Sequence, residues 1–149
     1  MKETVGKDGD TVKLLRECDT GIKMGLSSIE EVALQVKDKK MRDMLDECKR
    51  RHEVLSIEVG ALLDEHSDSG KNPNPMAKSM SFIKTNVKML AKPTDETIAD
   101  LMTDGCNMGV KSLARYLNQY KSADEKSKEI AKNLIGLEDR LSNDLREYL

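Results

Sequence analysis

Cys48 and His52 are the residues of this sequence best placed to do chemistry. They stand four apart, so on a helix both side chains leave one face and could share one ion. A thiolate and an imidazole are soft-to-borderline donors suited to iron, copper or a haem iron. Met24 and Met108 could add thioethers to the same set. The same four side chains also have an ordinary use, because methionine and free cysteine fill irregular core gaps. A buried imidazole needs only hydrogen-bond partners, and neighbouring serines such as Ser28 or Ser56 could supply them. Packing is the reading we carry forward for His52, Cys48, Met24 and Met108. No metal and no cofactor is expected, with iron, copper or haem near His52 as the alternative.

The two methionines sit in a phrase that occurs twice. Gly21-Ile-Lys-Met24-Gly25-Leu-Ser-Ser28-Ile29 returns as Gly105-Cys-Asn-Met108-Gly109-Val-Lys-Ser112-Leu113. Both copies read G-x-x-M-G-apolar-x-S-apolar, inside segments with helical periodicity. Glycine costs about 1 kcal/mol against alanine within a helix. Four of them at helix centres therefore imply that something approaches the backbone closely.

The elements follow from apolar periodicity. A first helix is expected from Asp10 or Thr11 to Val36, with an inward stripe at Leu15, Cys18, Ile22, Gly25, Ile29, Val32 and Val36. The polar stretch Lys37–Lys40 is a tight turn. A second helix to Glu65 repeats the rhythm through Met41, Leu45, Cys48, His52, Leu55, Val59 and Leu62. So short a turn forces the two helices to lie antiparallel, which brings His52 level with Gly25. Residues 67–75, rich in Ser, Gly, Asn and Pro, form a flexible loop, and a short helix is expected over 76–91. Thr94 is a good N-cap for the next long helix, striped by Ile98, Met102, Gly105, Gly109, Ser112, Tyr116 and Tyr120. Ser122-Ala-Asp-Glu125 reads as a capping box before the last helix, whose stripe is Ile130, Leu134, Leu137, Leu141, Leu145 and Tyr148. The expectation is one domain over 1–149, all-α, with residues 1–9 disordered. Its two antiparallel hairpins are joined by a long crossover that carries the short extra helix.

Composition excludes several functions. The chain has 149 residues, 25 basic and 27 acidic, for a net charge of −2. That balance lacks the positive excess of a nucleic-acid binder. No apolar run approaches the ~20 residues that cross a bilayer, and the opening residues are too polar for a secretory signal. The three cysteines, Cys18, Cys48 and Cys106, show no C-x-x-C spacing. A cytoplasmic protein with reduced thiols, bound to neither nucleic acid nor membrane, is expected.

Paired hairpins, a long crossover and the repeated Gly/Met/Ser phrase resemble the ferritin-like superfamily. More narrowly, the chain is similar to small bacterial ferritin-like domains of uncharacterised function. The resemblance covers roughly residues 10–149 and implies a four-helix bundle. It also implies a place for a di-iron centre, built in members that have one from inward Glu and Glu-x-x-His. Here the inward places hold Ile22, Gly25 and Ile29 on the first helix and Gly105, Gly109 and Ser112 on the fourth. Lys49 stands three residues before His52, and Leu141 three residues after Glu138. No half-site is complete. The expected function is a non-catalytic interaction or scaffold module, self-associating or binding a protein partner. A metal- or haem-binding protein or oxidoreductase is the alternative.

Overall fold

The structure, a computed structural model, describes residues 2–66 and 93–149, with side chains from Gly9 onward. The loop expected over 67–75 and the helix expected over 76–91 lie outside the described residues.

The chain forms an all-α four-helix bundle. Its helices are α1 (Lys2–Ala33), α2 (Lys39–Glu65), α3 (Asp95–Gln119) and α4 (Glu125–Leu145), closed by a 3-10 turn over Arg146–Tyr148. Helix α1 packs on α2 and α3 on α4, as two hairpins; α4 also packs on α2 and α1, and α1 on α3. The first hairpin turn differs from the expected one. Helix α1 stops at Ala33, and Val36 is buried from the turn rather than from a helix. Asp38 then caps α2 by accepting from the Met41 N–H at 2.9 Å.

Caps fix the relative directions of the helices. At one end Asp95, in the first turn of α3, accepts from the N–H groups of Lys37 and Asp38 at 2.8 and 2.9 Å. The Tyr148 hydroxyl donates to Asp38 at 2.7 Å, so the chain's last turn closes on the same end. At the other end Asp10 accepts from the Ser122 N–H at 3.0 Å, and the Thr11 hydroxyl from the Asp124 N–H at 2.9 Å. Helix α2 therefore leaves the end where α3 starts, so α2 and α3 run in the same direction. The second hairpin begins at the opposite end from where the first finishes.

The cap of α4 is a correction. Ser122 does not open the helix; its N–H is taken by Asp10, and Asp124 is the N-cap, accepting from Ser127 N–H at 2.8 Å. Thr94 caps α3 as expected and forms a reciprocal pair with Thr97.

The core is split. One cluster near the Asp38 end gathers Ile29, Val32, Leu45, Ile98, Met102 and Leu145. A second, toward Thr11, gathers Leu15, Ile22, Leu55, Val59, Leu113 and Ile130. The inward positions between them carry the repeated glycines and His52. No helix among the described residues is long and apolar enough to cross a membrane.

A candidate binding cleft at mid-bundle

Both copies of the repeated phrase face one cavity. Gly21, Met24, Gly25 and Ser28 line it from α1. Gly105, Met108, Gly109 and Ser112 line it from α3. The cleft between them has a volume of about 440 Å³. His52 from α2 and Glu138 from α4 also line it, standing beyond Gly25 and Gly109 from the two partner helices.

Gly25 also makes room for the His52 side chain. A Cβ on Gly25 would stand 2.9 Å from His52 Nε2 and 3.0 Å from Cδ2, closer than packed carbons tolerate. A Cβ on Gly109 would reach Glu138 Oε2 at 3.4 Å. Gly25 thus admits the His52 ring from the partner helix of its own hairpin, whereas a Cβ on Gly109 would make only an ordinary contact with Glu138. His52 and Glu138 occupy corresponding places in the two hairpins.

His52 is 1% exposed and held from both sides. Its Nδ1 lies 2.8 Å from the Cys48 carbonyl oxygen, which can only accept, so Nδ1 carries a proton. Its Nε2 lies 3.2 Å from Glu138 Oε1. Burial disfavours the charged imidazole, but hydrogen bonds to Cys48 and Glu138 outweigh it and push the pKa up to about 10. The pair is an imidazolium on a carboxylate whose side chain is 14% exposed. Burial first, and then the negative charge of Glu138, push the pKa of the Cys106 thiol far up. A thiol held protonated in this way is a poor nucleophile and a poor metal ligand.

At the other end of the cleft Glu17 and Tyr116 stand together in the lining. Burial and that carboxylate raise Tyr116 to about 12. Its ring stacks on Tyr120, with centroids 6.2 Å apart.

The four residues singled out for ligation are not brought to one point with open donors. Cys48 Sγ lies 3.5 Å from His52 Nδ1, the nitrogen already bonded to a carbonyl. Met24 and Met108 line the cleft walls, and Met108 is 57% exposed. Ser28 does not reach His52; its hydroxyl donates back to the Met24 carbonyl at 2.8 Å. Among the described residues no group of three or more His, Cys, Asp or Glu side chains is arranged to hold an ion. A di-iron donor set does not fit these residues, since glycine stands where α1 and α3 would each need a carboxylate.

Glu138 was missed as the partner of His52. Leu134, Leu137 and Leu141 gave a complete apolar stripe on α4, yet Leu137 is only partly buried and Glu138 turns inward. Its signal was a second stripe of equal helical spacing, Leu134, Glu138, Leu141 and Leu145. No protein family, no curated protein and no solved structure matches the chain.

Proposed function

We propose that this chain is a non-catalytic binding module of ferritin-like type, and that its ligand is a small molecule held in the cleft between α1 and α3. The observation that carries this reading is the cleft of about 440 Å³ walled by both copies of the phrase. Small-molecule sites fall in the range of ~300–1,000 Å³, are mostly apolar, and hold a few convergent polar groups. Methionines and glycines here make the walls, and His52 with Glu138 the polar end. Catalysis gains no support, because both nitrogens of His52 are engaged, Nδ1 by the Cys48 carbonyl and Nε2 by Glu138. The parallel course of α2 and α3, with the second hairpin starting at the far end, supports the ferritin-like reading of the topology.

The test is mass spectrometry and elemental analysis of protein purified without added ligand, alongside Gly105→Leu, which fills the cleft. An organic molecule retained by the wild type and absent from the variant supports the proposal. A bound metal or haem that depends on His52 supports instead the rival reading of an iron, copper or haem protein. A protein that retains nothing, and whose melting temperature no small molecule raises, overturns both.

Self-association is a second proposal. It is supported by Val54 and Ile57, which are 64% and 76% exposed on the outer face of α2. Sedimentation equilibrium of wild type against Ile57→Lys decides it: an oligomer that dissociates in the variant supports the interface, and a monomeric wild type removes it.

A further inference from the structure

Helix α2 packs on α1 and α4 through Leu45, Cys48, His52, Leu55 and Val59, and its outer face carries a second stripe. Arg50, Val54, Ile57, Ala61 and Asp64 follow one another at steps of four and three, the spacing that keeps side chains on one face for a partner helix. All five are exposed, Val54 by 64% and Ile57 by 76%.

The stripe has a direction. Its start is basic, with Arg50 on it and Arg51 beside it. Its end is acidic, with Asp64 on it and Glu65 beside it. Arg50 and Arg51 share Glu47 on their own helix, at 2.6 and 2.9 Å. Exposed pairs of that kind hold weakly, and a guanidinium has five N–H groups to share. Bulk follows the same direction: Val54 and Ile57 come first, then Gly60 and Ala61. Nothing among the described residues stands within 4 Å of a would-be Cβ on Gly60. A second copy of α2 laid parallel on this face would set basic against basic and large against large. Laid antiparallel about a two-fold axis near Ile57, it sets Arg50 beside Asp64 of the other copy and Val54 over the small residues there. Each contact then occurs twice, as a two-fold interface requires.

We infer that α2 pairs antiparallel with α2 of a second copy of this chain, with Ile57 near the two-fold axis and Arg50 of each copy at Asp64 of the other. This rests on the self-association reading and adds to it the face, the direction and the register. The stripe is about 21 Å long, a single helix pair at the small end of specific interfaces. The dimer is therefore weak and loosens as salt screens its charged pairs.

Cysteine crosslinking of the full-length protein reads the arrangement directly, since the native thiols Cys18, Cys48 and Cys106 are all buried. Under mild oxidation Ile57→Cys should give a covalent dimer. Arg50→Cys alone and Asp64→Cys alone should not, because each residue lies about 20 Å from its own copy in an antiparallel pair. An equimolar mixture of those two variants should crosslink. If each instead crosslinks to itself, the helices are parallel; the direction is overturned and self-association stands. Sedimentation equilibrium gives the second measurement. Arg50→Asp and Asp64→Arg should each weaken the dimer about tenfold, since two exposed pairs are lost and two like-charge contacts made. The double variant should return to near the wild-type affinity. Failure of the double variant to recover would overturn the register. A dimer that survives Ile57→Lys, with no crosslink at position 57, would place the contact on another face and overturn the inference. A wild type that stays monomeric at every attainable concentration would overturn self-association together with it.

Discussion

His52 and Glu138 meet across the bundle with 86 residues of chain between them. Removing one partner leaves the other buried without compensation, so His52→Ala should cost about 3–5 kcal/mol in urea denaturation. Replacing both with leucine should recover most of that loss, because an apolar pair has no charge to desolvate. If His52→Ala were as stable as the wild type, the pair would not be an ion pair at all. The pH dependence has a definite sign. The folded pKa is raised from 6.5 to about 10, so protonated His52 stabilises the fold fully below pH 6.5 and that contribution is lost as pH rises toward 10. The stability difference between wild type and His52→Ala should shrink over the same interval. Half of this site was legible in the sequence. The helical spacing of Cys48 and His52 put them on one face, and the short turn set His52 level with Gly25. The carboxylate was hidden, because Leu137 and Glu138 fit the stripe on α4 equally well and leucine is the better guess for a core.

Glycine has opposite consequences at different places on these helices. Gly60 in α2 and Gly136 in α4 have nothing within 4 Å of a would-be Cβ, so alanine there gains helix propensity without a clash. Each substitution should raise stability by about 1 kcal/mol in thermal or urea unfolding. Gly25→Ala gains the same propensity but drives a methyl group to 2.9 Å from His52 Nε2. The ring is bonded on both nitrogens and cannot step aside, so this variant should be less stable than the wild type. A net gain for Gly25→Ala, measured in the same way, would mean that the imidazole has room to move. The repeated glycines implied close approach to the backbone from sequence alone. What approaches is a buried side chain from the partner helix, and open space lies between the two glycine-bearing helices.

The bundle's two ends are tied by different residues that share no partners. Asp95 holds the first hairpin turn against α3, and Thr11 holds the second hairpin turn against α1. Asp95→Ala should cost about 2 kcal/mol for its two hydrogen bonds from backbone donors, and Thr11→Val about 1 kcal/mol for its one. Helix α2, with 27 residues, puts the two ends about 40 Å apart. The double variant should therefore lose the sum to within ~0.5 kcal/mol. A larger departure, read from denaturant midpoints, would show that the ends communicate.

The sequence by itself determined four long helices, their pairing into hairpins and most of their buried stripes. These depend on local periodicity and on turns too short to allow any other packing. It also marked the middle of α1 and α3 as unusual, since glycine at a helix centre is unfavourable without a reason. Only the tertiary structure decided what that reason is. Periodicity says which residues share a face of one helix, but not which face meets which. The cleft between the two phrases and the pairing of His52 with Glu138 both arise from how the hairpins pack on each other. Ser122 was misread as a cap for the same reason: its N–H is claimed by Asp10, more than a hundred residues away in the chain.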